Sequence, residues 1–194
     1  MFDRNHPCWY PLRVSYTSDS RLFKLKDMLD KEPSIEQTYI PLEYRTKNFQ
    51  TQLVPAINNI IFVRSTFNNL NDVRHATNQY EPLRYIMRPV IDGNWEHSEV
   101  LYVPDKMMDQ FIRVTNDRSS AVIFLDNPKF AFKPGVKARI TQGLYAGVVG
   151  EVKRIQKNLC LVVAIHGVAA AAILHVPRQH LHYLSDEEYA QLTS

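Results

Sequence analysis

Three histidines near the end of the chain, His175, His180 and His182, are the side chains best suited to metal chemistry. Residues two apart on a strand share a face, so His180 and His182 would point the same way. A zinc site needs further ligands in tetrahedral array. Exposed strand histidines are the plainer alternative, and no metal and no cofactor are expected. Cys8 and Cys160 form no Cys-x-x-Cys pair. They read as two reduced thiols, with one disulfide as the alternative. No Gly-x-Ser-x-Gly elbow marks a nucleophile, and no Gly-x-x-x-x-Gly-Lys loop offers a phosphate cradle. The acidic residues are scattered and form no evident acid–base pair. The chain therefore reads as a binding protein and not an enzyme.

The glycines say what kind of binder. Gly135, Gly143, Gly147 and Gly150 are four of only six in the chain. They punctuate two alternating patterns, one on Val136, Ala138 and Ile140, the other running from Val149 to Ile155. Glycine supplies positive φ where a chain turns sharply. Two strands joined through Gly-x-x-x-Gly-x-x-Gly predict the opening of a small twisted barrel. These glycines open no helix, so they are not a dinucleotide fingerprint.

The elements around them follow from periodicity. Residues 8–16 read as a first strand. Residues 20–31 read as a helix, with Leu22, Leu25, Met28 and Leu29 at helical spacing and Pro33 ending it. Residues 37–43 read as a strand, 44–52 as a polar, basic surface hairpin or loop, and Ile60 to Arg64 as a buried central strand. A short helix is predicted over 69–77, with strands over 85–91 and 100–103. Pro104 starts a helix over 104–114 that carries Met107, Met108, Phe111 and Ile112 on one side. Residues 121–125 form a short strand of undecided domain. Strands over 159–165, 170–176 and 180–184 complete the barrel, and a short acidic helix or frayed tail follows. The order predicts an α+β protein: an α/β sandwich with an antiparallel sheet, then a small β-barrel. The expected boundaries are 1–115 for the first domain, 116–130 for a linker, 131–186 for the barrel and 187–194 for a tail.

With 194 residues and 45% apolar side chains, the chain can bury a core unaided. The net charge of +3, from 23 basic and 20 acidic residues, does not by itself establish nucleic-acid binding. The most apolar run, 162–176, is interrupted by His166, Gly167 and His175 and falls short of a membrane span. The opening Met-Phe-Asp-Arg-Asn-His-Pro lacks the apolar core of a secretory signal, so a cytoplasmic location is expected.

The segment from Lys133-Pro-Gly-Val through Gly143-Leu-Tyr-Ala-Gly-Val-Val-Gly-Glu-Val resembles a KOW motif. Trp9-Tyr10, Ile40-Pro41, Pro55, Ile61-Phe-Val-Arg64 and Pro104-Asp-Lys-Met-Met-Asp-Gln-Phe-Ile appear in the order of a NusG N-terminal (NGN) domain. The closing pattern Val162-Val163, Ile165, Gly167, Ala169-Ala170 and Val176-Pro177 is similar to the specialised NusG-like regulators of the UpxY type of Bacteroidetes. The chain departs from the family where Pro55-Ala-Ile-Asn-Asn59 replaces Pro-Gly-Tyr, and Gly143-Leu-Tyr145 replaces Gly-Pro-Phe.

The resemblance implies a transcription elongation or antitermination factor with an SH3-like KOW barrel, acting at particular operons such as those for surface polysaccharide. Its first domain would rest on the clamp helices of RNA polymerase through Trp9, Tyr10, Ile57, Ile60 and Phe62, with Phe111 behind them. Burial in the core is the alternative for Trp9, Phe62 and Phe111, which makes Tyr10 and Ile57 the better contact residues. Arg45, Lys47, Arg74, His75, Arg84 and Arg88 would face non-template or upstream DNA, with Tyr80 and Tyr85 near enough to stack a base. A solvated charged surface is the alternative. In the barrel, Tyr145 with Lys153, Arg154 and Lys157 would meet a ribosomal protein, a termination factor or RNA, unless Tyr145 packs across the barrel mouth. A monomer is expected. The rival function is a ribosome- or RNA-binding KOW protein.

Overall fold

In the computed structural model, residues 3–15, 18–93, 95–125, 135–155, 157–165 and 167–194 are described. Tyr16, residues 126–130 of the expected linker, Lys133 and Pro134 of the KOW-like motif, and His166 lie outside them. The protein is mixed α and β with antiparallel sheets, and it divides into two compact units.

The first unit takes residues 1–40 and 54–103. Its four-stranded sheet has the order β2 (Gln37–Tyr39), β5 (Ile60–Ser65), β1 (Cys8–Val14), β6 (Leu83–Tyr85), antiparallel throughout. Successive residues of β1 and β5 are buried, so both faces of the central strands are covered. Helix α1 (Asp19–Leu29) buries Leu22, Leu25 and Leu29. Helix α2 (Phe67–Ala76) buries Leu70 and Val73, and the Thr66 hydroxyl caps it by accepting from the Asn69 amide at 3.1 Å. β7 (Met87–Asp92) and β8 (Trp95–Val100) form a separate two-stranded hairpin. The sequence reading takes β7 as a strand and misses β8. Asp92-Gly93, with Gly93 at φ 60°, is the turn signal that marks it.

The second unit takes residues 41–53 and 104–194. The strand expected over 37–43 breaks at Ile40-Pro41, where proline has no N–H to donate. β3 (Leu42–Lys47) then starts a hairpin with β4 (Gln50–Pro55). The main sheet has six strands, in the order β14 (Leu181–Tyr183), β10 (Val136–Ile140), β11 (Val149–Ile155), β12 (Asn158–Ile165), β13 (Ala169–Ile173), β9 (Val122–Phe124). Pairing with β13 assigns β9 to this unit. Helix α3 (Asp105–Thr115), placed with the first domain by the sequence, groups instead with the second unit and packs on β12, β13 and the last helix, α4 (Asp186–Thr193). Polar anchors fix it there: Gln110 Oε1 accepts from the Val149 amide at 3.3 Å, and Arg113 donates to the Leu144 carbonyl at 3.0 Å. α4 opens on a capping box in which Ser185 and Glu188 satisfy each other's backbone amides.

The glycines divide by role. Gly143 and Gly147 sit at φ 85° and 89° in the loop between β10 and β11, as a turn demands. Gly150 is extended, and it is needed for space: a Cβ there would lie 2.4 Å from the Val162 carbonyl oxygen.

Candidate nucleic-acid and partner interface

Most of the residues expected to touch polymerase are interior. Trp9, Tyr10, Ile60 and Phe62 are all buried, and Tyr10 is 0% exposed. This corrects the expectation that Tyr10 is a contact residue. Adjacent residues on β1 are buried together, so strand alternation gives no outward side to assign. Tyr10 packs edge-on to Tyr85 at 6.1 Å and tilted to Phe67 at 6.4 Å. Burial raises the pKa of its hydroxyl well above the ordinary tyrosine value. Phe111 is also buried. Ile57 alone of the expected patch keeps partial exposure. The first unit instead exposes Met87, Ile91 and Trp95 on the β7–β8 hairpin, Trp95 to 80%.

The basic residues fall into two classes. Arg74 serves the fold: its guanidinium lies 4.4 Å over the Tyr85 ring and donates to the Leu83 carbonyl at 3.0 Å. Tyr85 stacks on Phe67 at 5.5 Å, and Tyr80 is buried with its hydroxyl donating to Glu32 at 2.6 Å. Neither ring offers an open face to a base, against expectation. Arg84 donates to the Glu81 and Leu83 carbonyls. Arg88 pairs with Glu99 at 3.2 Å and lies 5.1 Å over the Tyr102 ring. The Glu99 carboxyl is held below the usual range by hydrogen bonds from His97 and then Arg88. His75 is exposed, with Nδ1 2.7 Å from the Asn71 carbonyl. A cleft of about 450 Å³ that the sequence gives no sign of is lined by Arg21, Lys24, Leu25, Met28 and Gln79.

Arg45 and Lys47 are exposed on the β3–β4 hairpin, Arg45 2.5 Å from Glu43. The Thr46 and Thr51 hydroxyls meet across the hairpin at 3.0 Å. These two threonines therefore share one face, and Arg45, Lys47, Gln50 and Gln52 occupy the other. The turn is Asn48-Phe49, with φ of 51° and 61° at its two residues, the signature of a type I′ turn. Asparagine suits that geometry. Phenylalanine does not, and a bulky L-residue held there costs about 1–2 kcal/mol. Phe49 is also fully exposed, at 104%. The sequence reading passed over it, although an aromatic next to Asn within a polar, basic stretch was the available signal.

In the second unit, Tyr145 is half-buried and donates its hydroxyl to Asp117. Burial, then this hydrogen bond, pushes the tyrosine up to about 12, and the same bond holds Asp117 below the usual carboxylate range. Leu144, 74% exposed, projects from the loop in its place. Lys153 is buried on β11 and lies 3.2 Å from Glu151, which removes it from any contact surface. Arg154 and Lys157 are exposed. Tyr145→Phe is expected to cost about 1 kcal/mol of stability near neutral pH. Asp117 titrates in the folded state below the unfolded value of about 3.9, so this stabilisation is full above that pH and fades below it. Urea midpoints of variant and parent should therefore converge in acid.

Cys8 and Cys160 are free thiols. Among the described residues no three of His, Cys, Asp and Glu converge as a metal group, and no helix is long and apolar enough to cross a membrane. No family model matches the chain, and comparison with curated proteins gives no significant match.

Proposed function

We propose that this chain is a NusG-type transcription elongation or antitermination factor, with an NGN-type first unit and a KOW-type second. It would bind RNA polymerase and suppress pausing or termination at particular operons. The observation that carries this is the pairing of the two most telling motifs. Trp9-Tyr10 on β1 lies in antiparallel register with Val63-Arg64 on β5, Trp9 opposite Arg64 and Tyr10 opposite Val63. Stretches matched independently along the chain thus build one central ladder. The paired β10 and β11, joined by the loop of Gly143 and Gly147, support the KOW half.

In this mechanism no bond is made or broken. Binding energy available only in the closed-clamp state shifts polymerase away from its open, paused states. With Tyr10 and Phe62 interior, the protein contact falls to apolar side chains of the first unit that reach the surface, among them the partly exposed Ile57 and the exposed Trp95. The immobilised full chain should retain core RNA polymerase or its isolated clamp-helix fragment; failure to retain either ends the proposal. Ile57→Glu should leave the unfolding free energy from urea titration within about 0.5 kcal/mol of the parent and weaken retention about tenfold or more. Undiminished retention would take Ile57 off the surface.

A further inference from the structure

We infer that the cleft between β3 and β9 in the second unit receives an extended polypeptide segment of a partner protein, inserted as a strand that pairs with both edges. The cleft has a volume of about 370 Å³. Residues 42–44 of β3 and Val122–Phe124 of β9 line it, all within the same unit. Side chains alternate along a strand, so a cavity against a sheet face meets every second residue. Three consecutive residues from each strand mean that this cleft runs along two strand edges.

The hydrogen-bond parity of each strand agrees. Leu125 donates its N–H to the Ala170 carbonyl at 3.0 Å, and Leu174 donates to the Ala121 carbonyl at 2.8 Å. Hydrogen-bonded pairs alternate in an antiparallel ladder. With Ile123 opposite Ala172, the odd-numbered residues therefore bond β13, and Val122 and Phe124 turn their main-chain groups outward. The Val122 N–H is taken by the Ser119 carbonyl at 3.3 Å, which leaves the Val122 C=O and both polar groups of Phe124 on the outer edge. Among the described residues, β9 is the last strand of its sheet. On β3, the two-residue turn Asn48-Phe49 closes on a hydrogen-bonded pair of Lys47 and Gln50. Counting back, Arg45 and Glu43 bond β4 through their main chains, and Tyr44 and Leu42 turn theirs outward.

The chemistry selects the occupant. Each edge offers main-chain groups at every second residue, the repeat of an extended peptide. Strand addition takes affinity from such bonds and specificity from alternate side chains. Leu42 and Tyr44 flank one edge, and Val122 and Phe124 the other, so the incoming segment carries β-branched or aromatic residues. The inference is independent of the elongation-factor proposal.

The test selects segments of about six residues from a phage-displayed random library on the immobilised full chain. Selected segments are synthesised with fluorescein and measured by fluorescence anisotropy. N-methylation of either of two adjacent central amides should weaken binding about 5- to 150-fold, because neighbouring amides point to opposite edges. Tyr44→Pro and Phe124→Pro each remove one outward N–H and leave the ladders whole. Each should bind about 5- to 150-fold more weakly than Tyr44→Ala or Phe124→Ala, with an unchanged far-UV circular dichroism spectrum. If one proline variant does not fold, the other and the N-methylated segments decide. The inference is overturned if no segment is selected, or if the folded proline variants bind like their alanine counterparts. It is overturned equally if one of the two N-methylations has no effect, which would mean addition to a single edge. A dimeric parent and a monomeric Phe124→Pro in sedimentation would also overturn it, since the occupant is then a second copy.

Discussion

Gly150→Ala is expected to dismantle the second unit's sheet, lowering stability by about 3 kcal/mol. The added Cβ would stand 2.4 Å from the Val162 carbonyl oxygen, 3.0 Å from its carbon and 3.1 Å from Leu161 Cγ. Two of those atoms are backbone, in the strand that pairs with β11 through Glu151↔Val162 and Val152↔Leu161. They cannot withdraw without breaking the ladder between β11 and β12. Gly143→Ala is the control. Its Cβ meets nothing within 4 Å, so only the φ of 85° opposes it, at a cost of about 1 kcal/mol. Urea unfolding followed by far-UV circular dichroism should show the larger shift for Gly150→Ala. Equal shifts would mean that close approach is not what Gly150 provides.

Tyr10→Glu is expected to unfold the first unit. The side chain is wholly buried between Phe67 and Tyr85. An uncompensated carboxylate there costs about 4 kcal/mol or more. Burial raises the folded pKa of the new glutamate above its unfolded value of about 4.3. The variant therefore holds its stability best below that pH and loses it as pH rises and the unfolded form ionises. Tyr10→Phe keeps the ring and should leave stability within about 1 kcal/mol of the parent. Thermal unfolding across pH distinguishes them. A stable Tyr10→Glu protein that merely lost polymerase retention would restore Tyr10 to the contact surface.

The helices were legible because their signals are local. Pro104 and the spacing of Met108 and Phe111 place α3 within a residue of its observed bounds, Asp105–Thr115. What α3 packs against was not legible, because an apolar stripe fixes a face and not a partner. β8 escaped notice for a related reason. Trp-Glu-His-Ser-Glu-Val has no buried face in the hairpin, and alternation is written into sequence only where one face is hidden. The candidate site was legible in its basic residues and misjudged in its aromatics. A tyrosine on a central strand and a phenylalanine in a turn invite opposite readings by residue type, and the fold reverses both: Tyr10 is enclosed and Phe49 is displayed.

The grouping of α3 with strands far downstream also sets an order of events during synthesis. Its partners β12 and β13 begin at Asn158 and Ala169, and α4 only at Asp186. At about 5–20 residues per second, a ribosome delivers the helix, with its buried side of Met108, Phe111 and Val114, seconds before these downstream partners are made. That interval is when a nascent chain is most vulnerable, and its length is dictated by the connectivity of the second unit.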